Sequence, residues 1–416
     1  MLRLVFPILS LLVSVALLLA GGGLLSTLLA MRGGLEGFNE LILGLIMSGY
    51  FVGFFLGTFV APLLIRRVGH IRAFAFYAAL AATTVLIYPL WVNAFAWTLL
   101  RVLTGLALVG LCTVIESWLN AQALPEQRSR VFAVYMVVSL LALAAGQLLL
   151  DLQPPRSFVL FSVVAILISL ATLPVASTLL PQPVMPPAPR SNVFQISGRA
   201  PSAAIGAVLS GLMLGAFWGM GPVYALESGL DRSGIGLFMG ITICGGAALQ
   251  FPIGQLSDRG DRRTTLAAVS VTAALTALMA AVISPGPGLL LFAMFFVFGG
   301  LAFALYPLCV AHLLDQLPAE SLLAGCSALL LLNGIGAALG PVIAGYLMHR
   351  FGPDSLPGLY ALACGLLALV AAGRRLLTDR RLLFNRARFH PMLRTTPSAL
   401  ELLPEIPETP PEGYSP

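Results

Sequence analysis

Ala247–Arg263 reads AALQFPIGQLSDRGDRR, and Gly57–Arg72 reads GTFVAPLLIRRVGHIR. In each, an apolar run ends in a tight turn crowded with arginine, after which an apolar run resumes. The two turns lie about 193 residues apart, as do Leu124-Pro125 and Leu317-Pro318. One basic turn is weak evidence of anything. A shared offset at two places reads as an internal duplication, which is how many helical membrane proteins are built.

Working outward from these turns, spans are expected near 4–30, 41–65, 73–90, 94–123, 131–152 and 157–180. A second set is expected near 202–227, 235–257, 264–284, 288–315, 321–349 and 356–375. Each is close to the roughly 20 apolar residues that cross a bilayer. The 416 residues are 58% hydrophobic and 10% charged, with a mean hydropathy of +0.95. A soluble domain carries about 25% charge. The chain therefore reads as an all-α polytopic membrane protein, twelve transmembrane helices in two six-helix bundles. The bundles are expected at 1–180 and 201–376, joined by a cytoplasmic linker at 181–200. A Pro- and Glu-rich tail at 377–416 has a composition that disfavours folding. Arg3, the apolar run behind it and the small residues at Ala20–Gly23 imitate a signal peptide. The run continues to Ala30, however, which is long enough to span.

All 23 basic residues other than histidine are arginine, and they sit mostly in short loops. With the N-terminus inside, the cytoplasmic side holds Arg3, Arg66, Arg67, Arg72, Arg128, Arg130, Arg190, Arg199, Arg259, Arg262, Arg263 and the tail arginines. The opposite side keeps Arg32, Arg156, Arg232 and Arg350. That asymmetry places both termini in the cytoplasm of a bacterial inner membrane. The net charge of +6 is thus topogenic, and no nucleic-acid partner is expected.

The turn Gly254-Gln-Leu-Ser-Asp258-Arg259-Gly-Asp261-Arg262-Arg263 resembles the loop motif of the major facilitator superfamily. Gly254, Leu256, Asp258, Arg259, Arg262 and Arg263 match it, and Asp261 replaces a glycine. In the first-half copy Arg66 stands where the acid belongs and Pro62 where the glycine belongs. Arg101-Val-Leu-Thr-Gly105 matches a fourth-helix signature of the family. Gly336-x3-Gly340-Pro341-x3-Gly345 is similar to a glycine–proline motif of some exporters, displaced to the eleventh span. Glu116-Ser-Trp-Leu-Asn120 is similar to an uncharacterised bacterial branch. The resemblance spans residues 1–376. It implies alternating access, a cavity lined by the first and fourth helices of each half, and a latch made by Gly254, Asp258, Arg259, Arg262 and Arg263.

Charge inside the spans is rare, and each case costs about 2.5–3.5 kcal/mol at the bilayer centre. Arg101 and Glu116 lie 15 residues apart on one helix, about 22 Å along its axis and about 60° apart in azimuth. They share a broad stripe with Gly105, Leu108 and Cys112. Two roles stay open for Arg101: a clamp on backbone carbonyls, or a contact to substrate or proton. Glu116 is either a protonatable group or a loop-bonded acid. Tyr135, Gln147 and Asn333 are expected beside the cavity, with Trp218 on its wall. His312 and Asp315 are i, i+3 neighbours, placed either as a proton relay or as a helix end. Gly49, Gly53 and Gly57, and Gly211, Gly215 and Gly219, recur every four residues and read as packing seams.

The five cysteines show no paired spacing and read as small buried hydrophobes, so no metal or other cofactor is expected. There is no phosphate-binding loop, no H-E-x-x-H, and no histidine at a suggestive spacing from Ser117. The expected function is secondary active transport of a small molecule, coupled to protons, by a monomer surrounded by lipid. An uncoupled facilitator and a non-transporting scaffold or sensor are the alternatives.

Overall fold

The computed structural model describes residues 8–124, 127–178, 182–183, 198, 200–284, 286–318, 321–377 and 389–392. Most of the expected linker at 181–200 and tail at 377–416 lies outside them. Twelve helices are long and apolar enough to cross a membrane: α1 Leu9–Leu35, α2 Glu40–Val68, α3 His70–Ile87, α4 Ala94–Gln122, α5 Arg128–Leu148, α6 Val159–Ala176, α7 Pro201–Glu227, α8 Arg232–Arg259, α9 Arg262–Ile283, α10 Leu289–Leu314, α11 Leu322–Phe351 and α12 Ser355–Leu377. No strand occurs among the described residues.

Boundaries differ from the sequence expectation by up to five residues, for local reasons. Gly21–Gly23 do not break α1. The helix runs on until Gly37, whose φ of +82° turns the chain. Asn39 then caps α2 by accepting the Ile42 amide at 2.9 Å, and Asn93, Asp231 and Asp261 do the same for α4, α8 and α9. A single residue, Gly69 with φ of +84°, separates α2 from α3. Only Gly260 and Asp261 stand between α8 and α9.

The two bundles repeat one packing plan. In α1–α6, α2 packs on α4 and α1 on α5; in α7–α12, α8 packs on α10 and α7 on α11. Small residues make each pair close. Gly49, Gly53 and Gly57 press on Thr98, Val102, Leu106 and Val109 of α4, while Gly245 and Gly299 perform the matching task between α8 and α10. Gly23 and Gly146 hold α1 to α5; Gly211, Gly215, Gly336 and Gly340 hold α7 to α11. A Cβ on Gly53 would run into the Val102 carbonyl, so this approach requires glycine.

The bundles meet through α2 on α11, α5 on α8, and α7 against α1 and α2. Gly44 lies on the Pro341 carbonyl and Gly345, and Gly345 lies on the Glu40 carbonyl. Gly219, unlike Gly211 and Gly215, faces this seam, where it meets Pro341 and Met47. The Ser48 hydroxyl donates to the Ala338 carbonyl, one residue beyond the Ala337 carbonyl that Pro341 leaves without its helical donor. The glycine–proline segment of α11 is therefore a two-sided packing strip. Residues 336 and 340 serve its own bundle and residue 345 serves the other.

Candidate functional site

Arg101 is buried at 2% exposure in the first bundle. Its Nη2 lies 3.4 Å from Ser26 Oγ on α1 and 3.3 Å from Met47 Sδ on α2, and the guanidinium sits 5.0 Å over the Tyr50 ring. Its Nε has no protein partner. These are weak ligands for a buried cation: one hydroxyl, one thioether and one π face. On the next residue of α1, Thr27 donates to Gln147 Oε1 of α5 at 2.6 Å, leaving Gln147 Nε2 buried without a protein acceptor. Ser26 and Thr27 thus tie α1 to α4 and α5, and the group holds more donors than acceptors.

Glu116 is fully buried and accepts the Tyr135 hydroxyl at 2.7 Å. The structure does not bring Arg101 and Glu116 together. Periodicity puts them on one face of an isolated helix, but α4 meets α2 at the level of Arg101 and α5 at the level of Glu116. Gly105 goes with Arg101, lying against the Tyr50 carbonyl.

Ser117, expected to lack a histidine partner, has one. His70 Nε2 is 3.0 Å from its hydroxyl, and the His70 ring packs edge-on to Trp118. The two residues are 47 positions apart, so no spacing signal exists. His70 opens α3 as Arg262 opens α9. In the second bundle Arg262 reaches Asp315, at the end of α10, at 2.7 Å, and Asp258 at 3.1 Å. Each half thus ties the start of its third helix to its fourth, by a His–Ser contact in one and an ion pair in the other.

The motif residues divide by task. Asp258 pairs with Arg262 and also accepts the Phe389 backbone amide at 2.9 Å; the Phe389 ring lies on Gly254. Asp261 caps α9 through the Arg263 amide and the Thr264 hydroxyl. Arg259 is exposed in the last turn of α8. Sequence reasoning found Asp258 and Arg262 but not Asp315 as their partner.

His312 bonds Ser202 at 3.1 Å and Gln316 at 2.9 Å, beside the motif and at the end of α10. Asn333 donates to the Ala207 carbonyl at 3.0 Å and to Ser210 at 3.3 Å, tying α11 to α7. Trp218 is packed edge-on to Phe217 and Phe303 within the second bundle. Four cysteines are buried as expected, but Cys244 on α8 is exposed.

The polar groups on the seam were not found from sequence. Glu40 Oε2 lies 2.9 Å from His349 Nδ1, with the Glu227 carboxyl nearby. Asp151 accepts the Ser233 hydroxyl at 2.8 Å and faces Arg232 at 3.6 Å. All six sit at span ends, where a charge reads as a cap or topology signal. Their partners lie up to 309 positions away. These contacts, with the glycine contacts of α2 and α11, gather at the end where α1 leads into α2. At the other end, among the described residues, α4 and α10 share no extensive contact.

Two helical bundles sealed at one end, with a buried cation beneath the seal, define a membrane transporter of the twelve-helix class. Residues 203–402 match the model of the Major Facilitator Superfamily. An uncharacterized MFS-type transporter of Enterobacter sp. is 28% identical over 355 residues, covering 84% of this chain and 91% of the relative. The crystal structure of the nucleoside transporter NupG shares the fold at a TM-score of 0.73 and 15% identity, over 90% of this chain and 99% of its own. A bacterial homologue of the human lysosomal transporter Spinster, inward-facing and occupied, does so at 0.73 and 16%, over 92% and 98%. These likenesses support a multi-pass inner-membrane transporter of the major facilitator type rather than an enzyme.

Proposed function

We propose that the protein is a secondary active transporter that moves a small molecule by alternating access and couples that movement to protons. The one-ended seam carries this reading. The arginine asymmetry puts both termini in the cytoplasm, so the sealed end is periplasmic and the conformer faces inward. Rocking the bundles about the buried polar group would exchange this seal for one at the cytoplasmic end.

Arg101 and Gln147 present donors that lack protein acceptors. A buried donor without a partner costs about 1–3 kcal/mol, more when charged. A ligand offering acceptors relieves that cost, which favours a polar uncharged or singly negative substrate over a cation. Glu116, buried against Tyr135, serves as the proton acceptor in this reading. His312 and Asn333 act as helix ties, and Trp218 as core of the second bundle.

The test uses purified protein in proteoliposomes containing a trapped pH-sensitive dye. A labelled panel of nucleosides, hexoses and organic monoanions is added with and without an inward proton gradient. One class is expected to accumulate with the gradient and to acidify the lumen as it enters. In Glu116→Gln, substrate exchange should persist while proton movement is lost. Uptake of equal rate and extent with and without the gradient, with no acidification, would replace this reading by an uncoupled facilitator.

A further inference from the structure

We infer that residues 389–392 of the tail form an internal strap. Docked on the cytoplasmic end of α8, the strap covers the face that the first bundle must reach for that end to close, and so it holds the transporter inward-facing. This rests on the inward-facing, alternating-access reading above and adds a brake to it.

The docking is made by three kinds of contact. The Phe389 backbone amide donates to Asp258 Oδ1 at 2.9 Å. The Phe389 ring lies where a side chain at Gly254 would be, so only glycine leaves room for it. Phe389 is 8% exposed and Met392 4% exposed, with His390 and Pro391 half-buried between them. The segment is not helical. Pro391 disfavours helix for His390, and in an extended three-residue repeat positions 389 and 392 share one side. In sequence the pair is an apolar island between Arg388 and Arg394. Phe389 comes twelve residues after α12 ends at Leu377, and extended chain of that length reaches about 40 Å.

Helix geometry says what the strap covers. At the sealed end Gly236 of α8 lies on the Gln147 carbonyl of α5, so that face of α8 belongs to the other bundle. Gly254 is 18 residues further on, five full turns and about 27 Å, and therefore points the same way. Asp258 is about 40° off that line. On α5, which runs opposite to α8, the corresponding level is its first turn, at Arg128. Closing the cytoplasmic end would bring that arginine-bearing turn onto Gly254 and Asp258. Phe389 occupies the same surface now. The strap and the closed cytoplasmic end therefore exclude each other, and closure must first lift Phe389 off α8. Losing a hydrogen bond to a carboxylate, or exposing a buried Phe or Met, each opposes closure by about tenfold or more.

The test uses the full chain in lipid nanodiscs. Spin labels on Leu124→Cys and Leu256→Cys, in a Cys244→Ser background, span the cytoplasmic mouth, one in each bundle. Both positions are exposed, and Leu256 is about 200° around α8 from Gly254, clear of the strap. The parent should show mainly the wide distance. Phe389→Ala/Met392→Ala should raise the narrow-to-wide ratio about tenfold or more. Phe389→Pro, which removes both the amide donor and the ring, should do the same by a second route. A wide parent whose distribution ignores these substitutions overturns the strap. Docking itself is read in Met392→Cys, again with Cys244→Ser: its maleimide reaction should be far slower than that of Leu256→Cys, and an equal rate also overturns the strap. A parent already narrow would reject the inward-facing reading and the strap with it. Because neither readout needs substrate or a proton gradient, failure of proton-coupled uptake beside an intact shift would reject the coupling and leave the strap standing.

Discussion

Arg262 and Asp315 form a 2.7 Å ion pair in which both side chains are only 7% exposed, and this pair binds the start of α9 to the end of α10. Asp258 completes the group from α8 at 3.1 Å, so three helices of one bundle converge on one guanidinium. Removing one partner of a buried pair leaves an uncompensated charge, at a cost of about 3–5 kcal/mol. Arg262→Ala is therefore expected to lower the melting temperature in detergent by many degrees. Arg259→Ala, on the exposed side of the same turn, should change stability by no more than about 0.5 kcal/mol. Equal losses in the two variants would mean that the turn acts through its net charge rather than through this pair.

The contact between α2 and α4 gives a sharper packing test. Gly53 lies so close to the Val102 carbonyl that any side chain must push backbone apart. Overpacking of this kind costs about 1–3 kcal/mol. Gly53→Ala is expected to reduce folded yield and melting temperature, while Gly365→Ala, with open space around it, should be neutral or slightly stabilising. Thermal unfolding of the two purified variants side by side decides it.

Tyr135 donates to Glu116 at 2.7 Å inside the first bundle. Hydrogen bonds to charged groups contribute about 1.5–3 kcal/mol. Tyr135→Phe should shift proton-driven uptake about tenfold to a hundredfold and change its pH profile, because the ionised form of Glu116 loses a donor. A stability loss with an unaltered pH profile would assign the pair to structure alone.

What the sequence made legible depended on range. Spans of about 20 apolar residues are local facts, and arginine bias is nearly so, which is why the twelve helices could be read off directly. The motif around Asp258 is contiguous and was visible too. Asp315, His70 beside Ser117, and the Glu40–His349 contact are not contiguous with anything. Each pairs residues from separate helices, and helical periodicity assigns a face without naming what that face will meet. Arg101 and Glu116, about 22 Å apart on one stripe of α4, illustrate the same gap. One stripe on α4 crosses two different neighbours, because packed helices meet at an angle and part again along their length. His312 and Asn333 were polar groups in apolar spans, which is a signal of buried bonding. Whether the bond goes to a ligand or to the next helix is decided by geometry, and here it goes to Ser202 and to Ala207.

Arg101 offers the most discriminating substitution, because its two possible roles predict opposite outcomes. Its guanidinium contacts Ser26, Met47 and the Tyr50 ring, and its Nε has no protein acceptor. A structural clamp would lose much of its holding power in Arg101→Met, and the melting temperature would fall with it. A buried cation held ready for a ligand costs stability in the empty protein, and replacing such a charge by an apolar side chain of similar volume is often neutral or stabilising. Arg101→Met is therefore expected to melt at or above the parent temperature while losing uptake of the substrate found by the proteoliposome screen. Arg101→Lys keeps the charge but not the planar fork, so it should retain the fold and recover only part of the uptake. If Met lowers the melting temperature and Lys restores stability and transport together, the guanidinium is a brace between α1, α2 and α4, and the ligand contact must be sought at Gln147, whose Nε2 is the other buried donor without a protein partner.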